Sequence, residues 1–216
     1  MTRGFVVALL GAESTGKTTL AQQLAATLRD RGEARVAVVA EYLREFCELH
    51  GRAPHVEEQA GIVAEQMRRI DAAAERHHIV VADTTGLMVS VYSELVFADR
   101  SLYAAAEAAH RRSIDLTLLT APDIPWVPDG LQRDGPHVRE PVDRLVRSSL
   151  NRAKVTFGVI FGSGAARLRA ALQAFEHARR PVCTEGDETG DFQRWQWQCE
   201  HCDDGACERH ALWAKG

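Results

Sequence analysis

Two periods of apolar residues alternate along most of this chain. Phe5-Val6-Val7-Ala8-Leu9-Leu10 is an unbroken apolar run, which predicts a strand, and Leu20, Leu24 and Leu28 behind it repeat at helical spacing. Residues 34–39 predict a second strand and residues 41–49 a helix. Ala60, Val63, Met67, Ile70 and Ala74 then form a stripe on a longer helix. Residues 79–82 predict a third strand ending at Asp83, followed by helices near 87–97 and 102–111 and a fourth strand over 115–119. Val142, Leu145, Val146 and Leu150 mark another helix, residues 156–161 a fifth strand, and Ala165, Leu168, Leu172 and Phe175 a last helix. Strand alternating with helix predicts an α/β fold with a mostly parallel, five-stranded sheet covered on both faces. The Pro- and Gly-rich stretch 121–136 is the one long loop, and loops of that length are usually functional. The periodicity stops near Pro181, so the expected division is an α/β body over 1–180 and a small tail over 181–216.

The turn between the first strand and helix reads Gly11-Ala12-Glu13-Ser14-Thr15-Gly16-Lys17-Thr18-Thr19, which carries the G-x-x-x-x-G-K-[ST] spacing. Strand, glycine-rich turn and helix together make a phosphate cradle. The glycines let backbone N–H groups converge on the anion, and the helix N-terminus adds partial positive charge. Residues Gly11, Glu13, Ser14, Thr15, Gly16, Lys17, Thr18 and Thr19 are therefore the expected nucleotide-binding set. Lys17 would reach the β- and γ-phosphates, and the Thr18 hydroxyl would sit on Mg²⁺. The fold expected from the motif is a P-loop NTPase, with ATP and Mg²⁺ bound.

Composition narrows the partners. A formal charge of −4 and a pI near 6.1 argue against a nucleic-acid surface, which normally shows a basic excess. No segment approaches the ~18 consecutive apolar residues that span a bilayer, so a cytoplasmic protein without a membrane partner is expected. The oligomeric state is not legible.

Three further groups could carry chemistry. Asp83 ends an apolar strand, where a P-loop protein places its magnesium-binding carboxylate; capping of the next helix is the alternative. Glu41 ends the second strand on the same sheet edge as the phosphate loop. It could take the proton of an attacking hydroxyl or grip a ribose diol, and the alternative is a carboxylate favoured by the helix dipole. Arg44 lies one turn on and could pair with Glu41 or phosphate, or simply be solvated. In the loop segment from Asp123 to Arg139, Trp126, Asp129, Arg133 and Arg139 are candidates, because phosphoryl transfer spreads negative charge that arginines stabilise. Trp126 could stack on a base or anchor the loop. Cys47 is expected to be a buried helix residue.

The phosphate loop, Glu41-Tyr42-Leu43-Arg44-Glu45-Phe46, Asp83-Thr84 and Asp123-Ile124-Pro125-Trp126-Val127-Pro128-Asp129-Gly130 together resemble the ribosylnicotinamide kinase domain of NadR-type proteins. The resemblance spans about residues 5–178. It implies ATP-dependent phosphorylation of the 5′-hydroxyl of nicotinamide riboside, in NAD metabolism, on a nucleoside-kinase fold with a lid over the phosphates. Taken with the residue readings above, the expected catalytic set is Lys17, Glu41, Asp83, Arg133 and Arg139 and the expected substrate-binding set Glu41, Tyr42, Arg44, Trp126 and Asp129, although the family's Asp-Asp-Gly-Leu-Arg run reads Pro128-Asp129-Gly130-Leu131-Gln132-Arg133 here, which displaces its arginine by one position. The family's acidic pair after the third strand reads Asp83-Thr84-Thr85 here, so only its first carboxylate carries over.

The tail holds Cys199-x2-Cys202-x4-Cys207-x2-His210, with three of the chain's four tryptophans (Trp195, Trp197 and Trp213) around it. Three thiolates and an imidazole at this spacing suit one tetrahedral, structural Zn²⁺; an iron–sulfur cluster recruiting Cys183, or free thiols, are the alternatives. Two function classes follow. One is a small-molecule (nucleoside) kinase; the other is a regulatory P-loop ATPase that signals through a zinc-binding tail. A nucleic-acid-binding zinc module is disfavoured by the acidic balance and by Asp203-Asp204.

Overall fold

The computed structural model describes residues 3–127 and 135–180. The chain separates into two units, Met1–Arg180 and Pro181–Gly216. The second, with the Cys/His cluster, lies outside the described residues.

Five strands make one sheet: β1 (Phe5–Leu10), β2 (Val36–Val39), β3 (Ile79–Asp83), β4 (Leu116–Thr120) and β5 (Phe157–Ile160). Their spatial order is β2-β3-β1-β4-β5, and every pairing is parallel, where mostly parallel was expected. Among the described residues seven α-helices surround it: α1 (Lys17–Asp30), α2 (Tyr42–His50), α3 (Gln59–Arg76), α4 (Gly86–Phe97), α5 (Tyr103–Ser113), α6 (Arg139–Arg152) and α7 (Gly164–Ala178). The second strand is shorter than the apolar run predicted, because Arg35 turns into the left-handed region at φ 53°. Helix α6 reaches back to Arg139 through a tight turn at Pro136–Val138, so that arginine sits on a helix and not in the loop.

The central strand is apolar throughout because both of its faces are covered. Val7 and Leu9 pack with Leu20, Leu24 and Leu28 of α1 and Leu172 and Phe175 of α7. Leu10 packs the other way, against Leu87, Met88 and Val91 of α4 and Val142, Val146 and Leu150 of α6. Val6 meets Met67, Ile70 and Ala74 of α3. This arrangement positions the site. Helix α1 leaves β1 onto one face, and α4 leaves the neighbouring β3 onto the other. Connections that part in this way open a crevice at the strands' carboxyl ends. The glycine-rich turn and Asp83-Thr84 border it, with Leu9 and Asp83 in register.

Candidate active site

The glycine-rich turn is held from below by a threonine pair. The Thr120 hydroxyl, at the end of β4, lies 3.0 Å from the Leu10 carbonyl and 2.7 Å from the Thr15 hydroxyl. Thr15 in turn donates to the Ala12 carbonyl at 2.8 Å. That closeness explains Gly11, which has φ 146°: a Cβ there would stand 2.3 Å from the Thr120 hydroxyl and 2.9 Å from its carbonyl. Gly16 precedes α1 at φ 76°, a left-handed conformation glycine adopts without penalty. Lys17 donates to the Gly11 and Ala12 carbonyls, each at 2.9 Å, which curls its ammonium over the turn.

Arg167 on α7, only 4 % exposed, closes the cradle from the opposite side and was not singled out by any motif. Its guanidinium donates to the carbonyls of Thr15, Gly162 and Ala121 and to the Asp123 carboxylate. Burial lowers its pKa, and Asp123 opposes that shift. In a planar trans peptide the C=O and N–H point in opposite directions. Holding the Thr15 carbonyl outward therefore turns the Gly16 N–H inward, toward the phosphate position. The loop after β4 is tied to the same turn, since the Val127 N–H donates to the Ser14 hydroxyl at 2.8 Å.

In front of the cradle lies a cleft of about 410 Å³. Residues 13–19 line it together with Glu41 and Arg44 and the apolar or aromatic side chains of Leu43, Met88, Tyr92, Val96 and Phe97; Cys47, Gln59 and Thr84 also line it. Glu41 is placed by Gln66, a 1 %-exposed residue of α3. The Gln66 amide accepts from the Tyr42 N–H at 2.7 Å and donates to the Ala40 carbonyl at 3.3 Å, fixing the turn that presents the carboxylate. Cys47 is buried on α2 as expected, and burial raises its pKa. A second hollow, between α3 and α5, contains none of the sequence-predicted site residues.

The predicted site residues are thus brought together unevenly. Glu13 to Thr19, Glu41 and Arg44 share the cleft. Tyr42 does not line it: its ring lies under the Arg69 guanidinium at 4.3 Å and edge-on to Phe46. Two residues along a helix are roughly 200° apart around the axis, so Tyr42 and Arg44 face opposite ways. Asp83 is 4 % exposed at the carboxyl end of β3. Trp126 is half-buried, and its indole N–H has no partner among the described residues. Arg139 is 9 % exposed and donates one bond to the Ile124 carbonyl at 2.9 Å; its Nε and Nη2 are buried without partners among the described residues. Asp129, Arg133, Cys199, Cys202, Cys207 and His210 lie outside the described residues.

Behind Asp83 the backbone is unusual. Thr84 has φ 83°, a strained region for a β-branched residue that costs about 1–3 kcal/mol. Its N–H is anchored to the Leu9 carbonyl at 3.1 Å. Thr85 then caps α4, accepting from the Leu87 N–H at 3.3 Å. The Thr85 hydroxyl also lies 3.1 Å from Nδ1 of His110, whose Nε2 lies 2.8 Å from the Thr117 hydroxyl. Full burial pushes the His110 pKa down to about 4, so the ring is neutral at ordinary pH.

The donor set suits magnesium. Mg²⁺ prefers hard oxygen ligands and is usually held by one or two carboxylates together with substrate phosphates and water. Thr18 on the first turn of α1 and Asp83 on the strand beside β1 offer that chemistry. Among the described residues no group of three or more His, Cys, Asp or Glu side chains could hold a metal ion.

Sheet, cradle and cleft define a P-loop nucleotide-binding fold of the kinase-like type. The chain belongs to the AAA domain family, whose family model matches residues 6–167. No curated protein sequence matches it. Among solved structures it is similar to NadR in complex with NR (19 % identity, TM-score 0.66) and to NadR in complex with NAD and AMP-PNP (19 % identity, TM-score 0.63). The likeness covers 81 % of this chain but only 50 % and 49 % of those, so the chain spans about half the length of the NadR proteins. It is also similar to thymidylate kinase from Ehrlichia chaffeensis, at 14 % identity and a TM-score of 0.58, over 81 % of this chain and 98 % of that one. At these identities the likeness establishes the fold.

Proposed function

We infer that the protein is an ATP-dependent kinase of a small nucleoside, with nicotinamide riboside as the acceptor to test first. The observation that carries this reading is the continuity of the cleft. One cavity is lined by the phosphate cradle together with a carboxylate, an arginine and an apolar, partly aromatic wall, chemistry that suits an acceptor nucleoside beside the phosphates. The NadR complexes with NR and AMP-PNP, and the thymidylate kinase, support the class of acceptor by analogy of fold.

In this reading the cradle amides and Lys17 hold the triphosphate. Mg²⁺ supplies neutralisation of the β- and γ-phosphate charge. Glu41 orients the acceptor hydroxyl and takes its proton as the oxygen bonds to the γ-phosphorus and the bond to the β–γ bridging oxygen breaks, releasing ADP. Arg139 brings two buried donors that no described residue satisfies. An unsatisfied buried donor is costly, and a phosphoryl oxygen or nucleotide base would relieve it.

The test is coupled ADP production from Mg·ATP with and without nicotinamide riboside. Production that depends on that nucleoside supports the reading. Production stimulated only by another nucleoside keeps the kinase and replaces the acceptor. Equal production with and without any acceptor indicates the alternative, a slow regulatory ATPase.

A further inference from the structure

Thr84 combines three features that a purely structural residue has no reason to combine. It is β-branched yet sits at φ 83°. Its hydroxyl is buried, at 1 % residue exposure, with no hydrogen-bond partner among the described residues. And it lines the cleft that contains the phosphate cradle and Glu41. Each of the first two is unfavourable alone: the backbone is strained, and a buried hydroxyl without a partner loses its water for nothing. Valine at this position would remove the second penalty without changing shape. The surroundings nevertheless enforce the conformation. The Thr84 N–H is tied to Leu9 on one side, and on the other Thr85 is held through His110 to Thr117. Strain that its surroundings over-determine, beside a cavity, is the pattern of a group held ready for a ligand.

We propose that Thr84 is a ligand-binding residue whose hydroxyl hydrogen-bonds an oxygen arriving in the cleft, either the acceptor's hydroxyl or a phosphoryl oxygen of the nucleotide. The proposal rests on the kinase reading above. It fits the position too. Thr84 follows Asp83 at the carboxyl end of β3, beside β1, and shares the cleft with residues 13–19 and Glu41. A hydroxyl can donate to either oxygen and also accept from the acceptor's O–H.

The experiment compares wild type with Thr84→Val and Thr84→Ser. It reads melting temperature, its rise with Mg·ADP and with nicotinamide riboside, and the two KM values and kcat. Loss of the hydroxyl in Thr84→Val should leave the unliganded melting temperature equal or higher, while kcat/KM falls about three- to tenfold. Thr84→Ser, which keeps the hydroxyl, should retain activity. A rise confined to the KM of nicotinamide riboside places the bond on the acceptor; a rise confined to that of ATP, or a smaller shift with Mg·ADP, places it on phosphate. A Thr84→Val protein that melts several degrees lower with unchanged kinetics overturns the proposal and leaves the kinase standing. If the wild type responds to neither adenine nucleotide nor any nucleoside, the kinase reading falls and this proposal with it.

Discussion

Single residues decide whether this cleft can hold a phosphate chain. Among the described residues Lys17 is the one lysine in the cleft, and its ammonium already curls over the Gly11 and Ala12 carbonyls. Replacing it by alanine should lower acceptor-dependent ADP production by about a hundredfold or more, since a preorganised charge in the site is lost, while the melting temperature changes little. Gly11→Ala acts through sterics instead. Its Cβ would push against the hydroxyl and carbonyl of Thr120, the residue that holds the turn to β4. Overpacking of this kind costs about 1–3 kcal/mol. Urea denaturation should show that loss, and titration with Mg·ADP should show weakened binding.

At the scale of elements, α4 and α5 are fastened by contacts that carry their own signatures. His110 is buried on α5 with a pKa near 4, against an ordinary value of 6.5. The unfolded chain therefore binds the proton more readily than the folded one. The stability that comes from keeping this ring neutral is complete above about pH 6.5 and is lost as pH falls toward 4, for a total of about 3 kcal/mol. Carboxylates also titrate in that range, so the measurement is a difference: stability against pH for wild type minus His110→Gln, which should be flat above pH 6.5 and decline below it. Helix α4 begins at Gly86, where a Cβ would lie 2.8 Å from Cγ1 of Val63 on α3. Valine is stiff at χ1 and cannot swing away, so Gly86→Ala should destabilise the protein by about 1–3 kcal/mol in chemical denaturation.

For the whole molecule, ligand binding is coupled to folding. Mg·ADP at a hundred times its dissociation constant should stabilise the chain by about 2.7 kcal/mol, a rise of roughly 5–10 °C in melting temperature by calorimetry. The tail gives a separate expectation. Metal analysis of the full chain should find one zinc per molecule, lost when Cys199 and Cys202 are both replaced by serine. Among the described residues no helix is long and apolar enough to cross a membrane.

Much of this body was legible because its information is local. Unbroken apolar runs marked the strands, helical stripes marked α1, α3, α6 and α7, and the glycine-lysine spacing marked the cradle, each within about twenty neighbouring residues. That Glu41 lines the same cleft as the phosphate loop was legible for a related reason: strand ends on one edge of a parallel sheet share a ligand face. Where the Tyr42 ring lands, away from the cleft, was not, because adjacency in a motif says nothing about the side of the helix on which a side chain falls.

The amino-acid order by itself thus determined the succession of elements, the phosphate loop and the sheet edge where chemistry sits, since each depends on short-range periodicity or spacing. Only the tertiary structure decided that Arg167, 152 positions from Thr15, grips the cradle, that Gln66 presents Glu41, and that Thr84 lines the cleft with a buried hydroxyl that has no partner among the described residues. Those contacts join segments far apart in the chain, and no local pattern encodes which distant side chain will meet a given carbonyl once the layers pack.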